Sequence, residues 1–219
     1  MLISNPALLR AALIKSNRTR VQFIGSVYSS SDLTTYTFSS QSLGIVDATR
    51  RIVVACGRAA AGDGTISSLT VAGVAATSLI AINNNSSNNA SLHIAHVPAG
   101  TTGDIVVTAA SGCTRMAIGV WAVYNLASET PKATASSTAD PAALNVNTDN
   151  PGVVIAYVFG SQSTTVTWTG VTERFDETGE FNVSSGADHT VIGVEGPRTV
   201  TGDYASGGAG DSGVCVSLR

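Results

Sequence analysis

The chain has 219 residues and a net charge of -3, with 12% charged and 43% hydrophobic side chains. That length builds one large β-sandwich or two small domains. The charges are scattered and form no basic stripe, so nucleic acid is excluded as a partner, and no apolar run approaches the roughly 20 residues of a membrane helix.

The opening residues, Met1-Leu2-Ile3-Ser4-Asn5-Pro6, lack a basic region followed by a long apolar stretch, so no secretory signal is expected. Pro6 suits the first turn of a short helix capped by Asn5. Leu8, Leu9, Ala12 and Leu13 then share one face at helical spacing, followed by the cations Lys15, Arg18 and Arg20. Residues 1–20 are read as an N-terminal helical arm that either closes the bottom of its own domain or, the favoured reading, docks on a neighbouring subunit.

Strand signals begin at Val21 and continue to the end. Residues 21–28 and 34–38 alternate around a Ser-rich turn. Residues 52–56 form a continuous apolar run, the pattern of a central strand covered on both faces. Asp63-Gly64 marks a turn, and strands at 66–71, 77–82 and 91–97 follow. The tract Asn83-Asn84-Asn85-Ser86-Ser87-Asn88-Asn89 reads as a loop, because Asn tolerates positive φ and bonds its own backbone. Beyond Pro98-Ala99-Gly100 come strands at 104–109 and 115–124, then a linker or crossover at 129–143. A second buried strand spans 152–159, with shorter ones at 166–168, 171–175, 181–184 and 190–195. A Gly-rich loop at 206–210 precedes a last strand in which Val214, Val216 and Leu218 alternate.

About a dozen strands at roughly 8–12-residue spacing indicate an all-β fold. The expectation is a single antiparallel β-sandwich over residues 21–219, jelly-roll-like or Ig-like, with both chain halves sharing one core.

Candidate chemistry fails on context. Gly210-Asp211-Ser212-Gly213 resembles the nucleophile segment of chymotrypsin-like proteases, with His93, His96 and Asp104 as nominal partners. Val214 stands where that family has a second glycine, and only seven residues follow Ser212. His93 and His96 fall on opposite faces of one strand and cannot share a metal. The acidic group Glu173, Asp176, Glu177 and Glu180 around Arg174 reads as a solvated hairpin rather than a hydrolase pair. No catalytic residue, cofactor or metal site is expected. Cys56, Cys113 and Cys215 show no CxxC spacing, which disfavours zinc. Two readings stay open for them: three buried small hydrophobes, or a disulfide with the odd cysteine bonding between subunits.

Residues 50–126 carry the strings RRIVVA, SSLTVAGVAAT, HIAHVPAGTTGDIVVT and MAIGVWAVYNL. Over this third of the chain the sequence resembles the β-sandwich modules of structural proteins in tailed bacteriophages, where the second and third strings would be hairpins. The resemblance implies a virion component made in the host cytoplasm and released by lysis: a head decoration, neck or collar part, or tail-fibre attachment. Its partners would be itself, as a trimer or higher homo-oligomer, and other virion proteins. It transfers no catalytic or binding residue. The alternative is a module recognising bacterial surface glycans through Asn84, Asn85, Asn88, Trp168 and Tyr204.

Overall fold

The computed structural model describes residues 18–59, 65–84, 88–179, 181–193, 196–205 and 211–219. Leu8, Leu9, Ala12 and Leu13 of the arm, and Asn85 of the Asn tract, lie outside them. The described residues form nineteen strands and no helix. The first half holds β1 (Arg20–Ser29), β2 (Leu33–Ser42), β3 (Arg51–Ala59), β4 (Ile66–Val71), β5 (Val74–Ala75), β6 (Thr77–Asn83), β7 (Asn88–His96), β8 (Thr102–Cys113) and β9 (Arg115–Tyr124). The second holds β10 (Ala133–Ser137), β11 (Ala142–Ala143), β12 (Val146–Asn147), β13 (Gly152–Gly160), β14 (Val166–Thr169), β15 (Thr172–Thr178), β16 (Val183–Val191), β17 (Pro197–Arg198), β18 (Thr201–Tyr204) and β19 (Ser212–Leu218).

Hydrogen bonding sorts these strands by chain half, and every pairing is antiparallel. In the N-terminal half an outer sheet, β2-β8-β4-β5, faces an inner sheet, β1-β9-β3-β7-β6. In the C-terminal half an inner sheet, β10-β19-β13-β16-β15, is covered by an outer layer of β11-β18-β14 and β12-β17. The two inner sheets then pack on each other. The result is four β layers enclosing three cores, rather than the single sandwich expected from the sequence.

Side-chain alternation accounts for this arrangement. Along β3, Ile52, Val54 and Cys56 point into the N-terminal core, while Val53 and Ala55 point into the middle one. Along β13, Val153, Ile155, Tyr157 and Phe159 enter the middle core, and Val154, Ala156 and Val158 enter the C-terminal one. A strand covered on both faces reads as an unbroken apolar run. The run does not reveal that its two covers belong to different halves. The last strand behaves as its alternation implies: Val214, Val216 and Leu218 lie in the middle core beside residues of β3, β7 and β9. That core is the one both halves share.

Two connections differ from the sequence reading. SSLTVAGVAAT does form a hairpin, with Val71 opposite Val74 around Ala72 and Gly73. The segment HIAHVPAGTTGDIVVT does not: β7 belongs to the inner sheet and β8 to the outer, so Pro98-Ala99-Gly100 crosses between layers. That crossing is held by Arg50, which is fully buried. Its guanidinium donates to the carbonyls of Val97 (2.7 Å), Gly44 (3.1 Å), Ala99 (2.7 Å) and Gly100 (2.7 Å). The planar fork reaches two loops at once and satisfies carbonyls that would otherwise be buried without donors.

The middle core is keyed by aromatic rings against glycines. Phe23, Trp121 and Phe175 cluster with centroids 5.3–6.0 Å apart, and Tyr157 joins them. A Cβ on Gly57 would collide with Tyr157 and Phe159, and one on Gly186 with Phe175 and Trp121. Gly57→Val is therefore expected to separate the inner sheets and to destabilise by about 3 kcal/mol or more, the scale of severe overpacking. Urea unfolding against the wild type measures it.

A buried polar bridge crosses the same junction. Trp121 Nε1–H donates to Asp188 Oδ2 at 2.9 Å, and Arg174 donates to both Asp188 oxygens at 2.8 and 2.7 Å. The Asp188 side chain is 1% exposed and that of Arg174 is 39% exposed. Removing the cation leaves a carboxylate in the core with only an indole donor. Arg174→Met should cost ~3 kcal/mol, and adding Asp188→Asn should restore at least half of it. A double-mutant cycle by denaturant melts checks this.

Candidate functional site

Strand direction gives the molecule two poles. Arg20 enters β1 at the entry pole, together with the loops at 43–50 and 97–101 and residues 125–132, 149–151 and 219. The ends of β3, β6, β13, β15 and β18 lie at the opposite, loop pole.

At the loop pole Asn84 and Asn88 of the N-terminal half meet Asp211 and Ser212 of the C-terminal half. Asn84 Nδ2–H donates to the carbonyl of Asp211 at 3.2 Å, and Ser212 Oγ–H donates to the carbonyl of Asn88 at 2.7 Å. Asn182 Nδ2–H bridges Asn88 Oδ1 (3.3 Å) and the carbonyl of Gly160 (2.9 Å). Asn84 is half-buried and Asn88 fully buried. Tyr204 is buried beside Asp211, and burial followed by the Asp211 charge pushes its phenol well up. The Asp211 carboxyl is raised by burial, opposed by the Ser161 N–H and reinforced by Asp140. Trp168 is half-buried within β14 and donates its indole N–H to Ser185 Oγ at 2.8 Å. The described recognition candidates thus hold the two halves and their layers together. Sequence reasoning missed the exposed aromatic at this pole, Phe181, whose ring carries the Arg115 guanidinium at 4.8 Å. The alternation Phe181-Asn182-Val183-Ser184 made it read as a strand residue.

The other chemistry-bearing residues are similarly engaged. Ser212 is fully buried and bonded to Asn88, while His96 lies at the entry pole on the carbonyl of Ala48 (3.0 Å). No protease-like grouping forms from them. In the acidic strand β15, Asp176 accepts from the Val166 N–H (2.9 Å) and Glu177 from Ser26 Oγ–H (2.7 Å), the latter another tie between halves. Burial and the neighbouring Asp176 raise the Glu173 carboxyl. Among the described residues no three His, Cys, Asp or Glu side chains are grouped to hold a metal ion.

The disulfide reading of the cysteines is corrected: all three are free and buried. Cys56 and Cys113 lie in the N-terminal core and Cys215 in the C-terminal one, with the whole middle layer between them. Cys113 Sγ–H instead approaches the carbonyl of Leu33 and the Tyr36 hydroxyl, each at 3.5 Å.

The entry pole holds the feature least visible in the sequence. Thr19 Oγ1–H donates to the carbonyl of Asn125 at 3.0 Å, and Asn125 Nδ2–H to that of Arg18 at 3.2 Å. Beside them the loop residues Ile45 and Val46 are 59% and 50% exposed. Two β-branched side chains in a loop, bounded by Gly44 and Asp47, were the available signal.

No family model matches the chain, and no curated protein matches it. A solved structure to which it is similar is the PBSX exported protein XepA, at 12% identity, with 91% of this chain and 86% of that one covered and a TM-score of 0.25. The functional reading rests on the chain's own residues.

His93 supplies a pH test of the N-terminal core. It is buried between the two N-terminal sheets, with Nε2 at 3.0 Å from Ser91 Oγ, and burial lowers its pKa from 6.5 to about 4. The unfolded chain therefore takes up the proton first as pH falls. The stability tied to neutral His93 is complete above 6.5 and is lost as pH falls toward 4, by up to about 3 kcal/mol. Asp176 and Asp211, whose folded-state pKa values are raised, act in the opposite direction. The stability difference between wild type and His93→Gln should accordingly shrink on acidification from pH 7 to 4.5; a difference independent of pH would contradict the assignment.

Proposed function

We propose that the protein is a non-enzymatic structural component of a tailed-phage virion. It assembles as a homo-oligomer on neighbouring virion proteins, as a head decoration, neck or collar part, or tail-fibre attachment. The observation that carries this reading is the use of polar side chains. Ser212, Asp188, Asn88, Asn182 and Glu177, the residue types that could do chemistry, all bind one chain half to the other. The product is a rigid four-layer block, and what it offers outward suits assembly.

Two surface features support self-association. Strand β2 is an edge of its sheet, ten residues long, and LTTYTFSSQS contains neither charge nor proline. Natural edges normally carry such residues to prevent pairing with another chain. The second is the apolar pair at the entry pole. The low charge fits a surface covered by neighbours. The phage-like strings at 50–126 map onto β3 to β9, the bulk of the N-terminal sandwich.

The test is to label the protein and image particles purified after lysis. The expected result is symmetric label on every particle and, for the isolated chain, a light-scattering mass of a trimer or higher. Label confined to the soluble fraction would sink the reading.

A further inference from the structure

We infer that the N-terminal segment of one subunit covers the Ile45–Val46 pair on the entry pole of the next copy. This rests on the reading of a self-assembling subunit and names the contact through which it assembles.

The loop at 43–46 is built to present its two side chains. Leu43 is fully buried and its N–H donates to the carbonyl of Thr101 at 2.8 Å. Gly44 turns the chain at φ 74°, a conformation open to glycine, and its carbonyl is held by Arg50. Tyr124 Oη then bonds both the N–H and the carbonyl of Ile45, each at 3.1 Å. With the backbone fixed from inside, the Ile45 and Val46 side chains can only point outward. A rigid apolar pair of this kind is already ordered for binding and loses little freedom when covered.

The occupant is argued from where the chain enters. Arg18–Arg20 is pinned beside this loop: Thr19 and Arg18 bond Asn125, and the Arg20 guanidinium lies 4.0 Å over the ring of the same Tyr124 that holds Ile45. β1 runs from this pole into the body, so the chain enters the described structure at this pole. Leu8, Leu9, Ala12 and Leu13 lie five to ten positions before Arg18. At up to ~3.3 Å per residue that is a reach of roughly 17–33 Å, enough to arrive at an adjacent pole. When every subunit donates one segment and receives another, the contact repeats around the assembly.

The experiment uses the full chain. Native Cys56, Cys113 and Cys215 are buried, so a bismaleimide reports engineered cysteines. Leu9→Cys and Ile45→Cys proteins are purified separately, mixed and crosslinked. The expected product is a covalent dimer of the two species, at least tenfold above a control pairing Leu9→Cys with Ser163→Cys. Deleting residues 1–17, or making Ile45→Asp with Val46→Asp, should weaken association at least tenfold while the urea midpoint of the subunit stays unchanged. A crosslink formed only within a chain carrying both cysteines would overturn the inference in favour of folding back. Assembly that survives both changes, with no crosslink, would overturn it and leave the structural reading standing. A full-length chain that stays monomeric but needs residues 1–17 to enter particles would assign the segment to another virion protein, again overturning it. A monomer never found on particles would remove both readings.

Discussion

The contact between the two inner sheets is the constraint on which the rest depends. Each half alone would be a two-layer sandwich with one large apolar face open to water. For the N-terminal half that face carries Val53, Leu92, Ile94 and Trp121; for the C-terminal half it carries Ile155, Tyr157, Phe159 and Val216. Burying these faces on each other removes the need for polar residues on either. This is why β3, β7, β9, β13 and β19 show almost no charge and why so few charged residues suffice for the chain. Burial without direction would let the sheets slide. Asp188 fixes the register by accepting from Trp121 across the junction, and Gly57 and Gly186 admit rings where any side chain would collide.

The same constraint organises the loop pole. With the inner sheets locked, loops from opposite halves meet without a covalent link, and the Asn-rich segment meets the segment leading into β19. Asn and Ser suit this place because each offers donors and acceptors to backbone groups of the other half. Asn84 and Asn88 are among the residues that tie the two halves together here. Exposed apolar side chains are found at both poles, Phe181 at this one and Ile45 and Val46 at the other.

How much was legible follows from what alternation can encode. The apolar runs at 52–56 and 152–159 announced strands covered on both faces, and they are β3 and β13. The alternation Val214, Val216 and Leu218 announced one buried face, and the three do share a core. What alternation cannot encode is which sheet lies opposite, so two sandwiches back to back look like one. The link at 98–100 reads as a hairpin turn because Pro-Ala-Gly supplies turn chemistry whether the chain returns in the same sheet or crosses to another. Two-residue bridges such as β11 and β17 have too few positions for any period. At the site level, Trp121 was recognisable as core, whereas Ile45 and Val46 were invisible because a short loop carries no period at all.

The cage around Arg50 has one more consequence. Its partners are four carbonyl dipoles, with no carboxylate among them. The Arg50 contacts beneath the entry pole thus form a knot with no ion pair for salt to screen. The bridge between halves, by contrast, relies on a carboxylate and a partly exposed arginine. Arg50 thus fastens the loops that carry Ile45 without an ion pair, whereas the seam between the sandwiches is fastened through one.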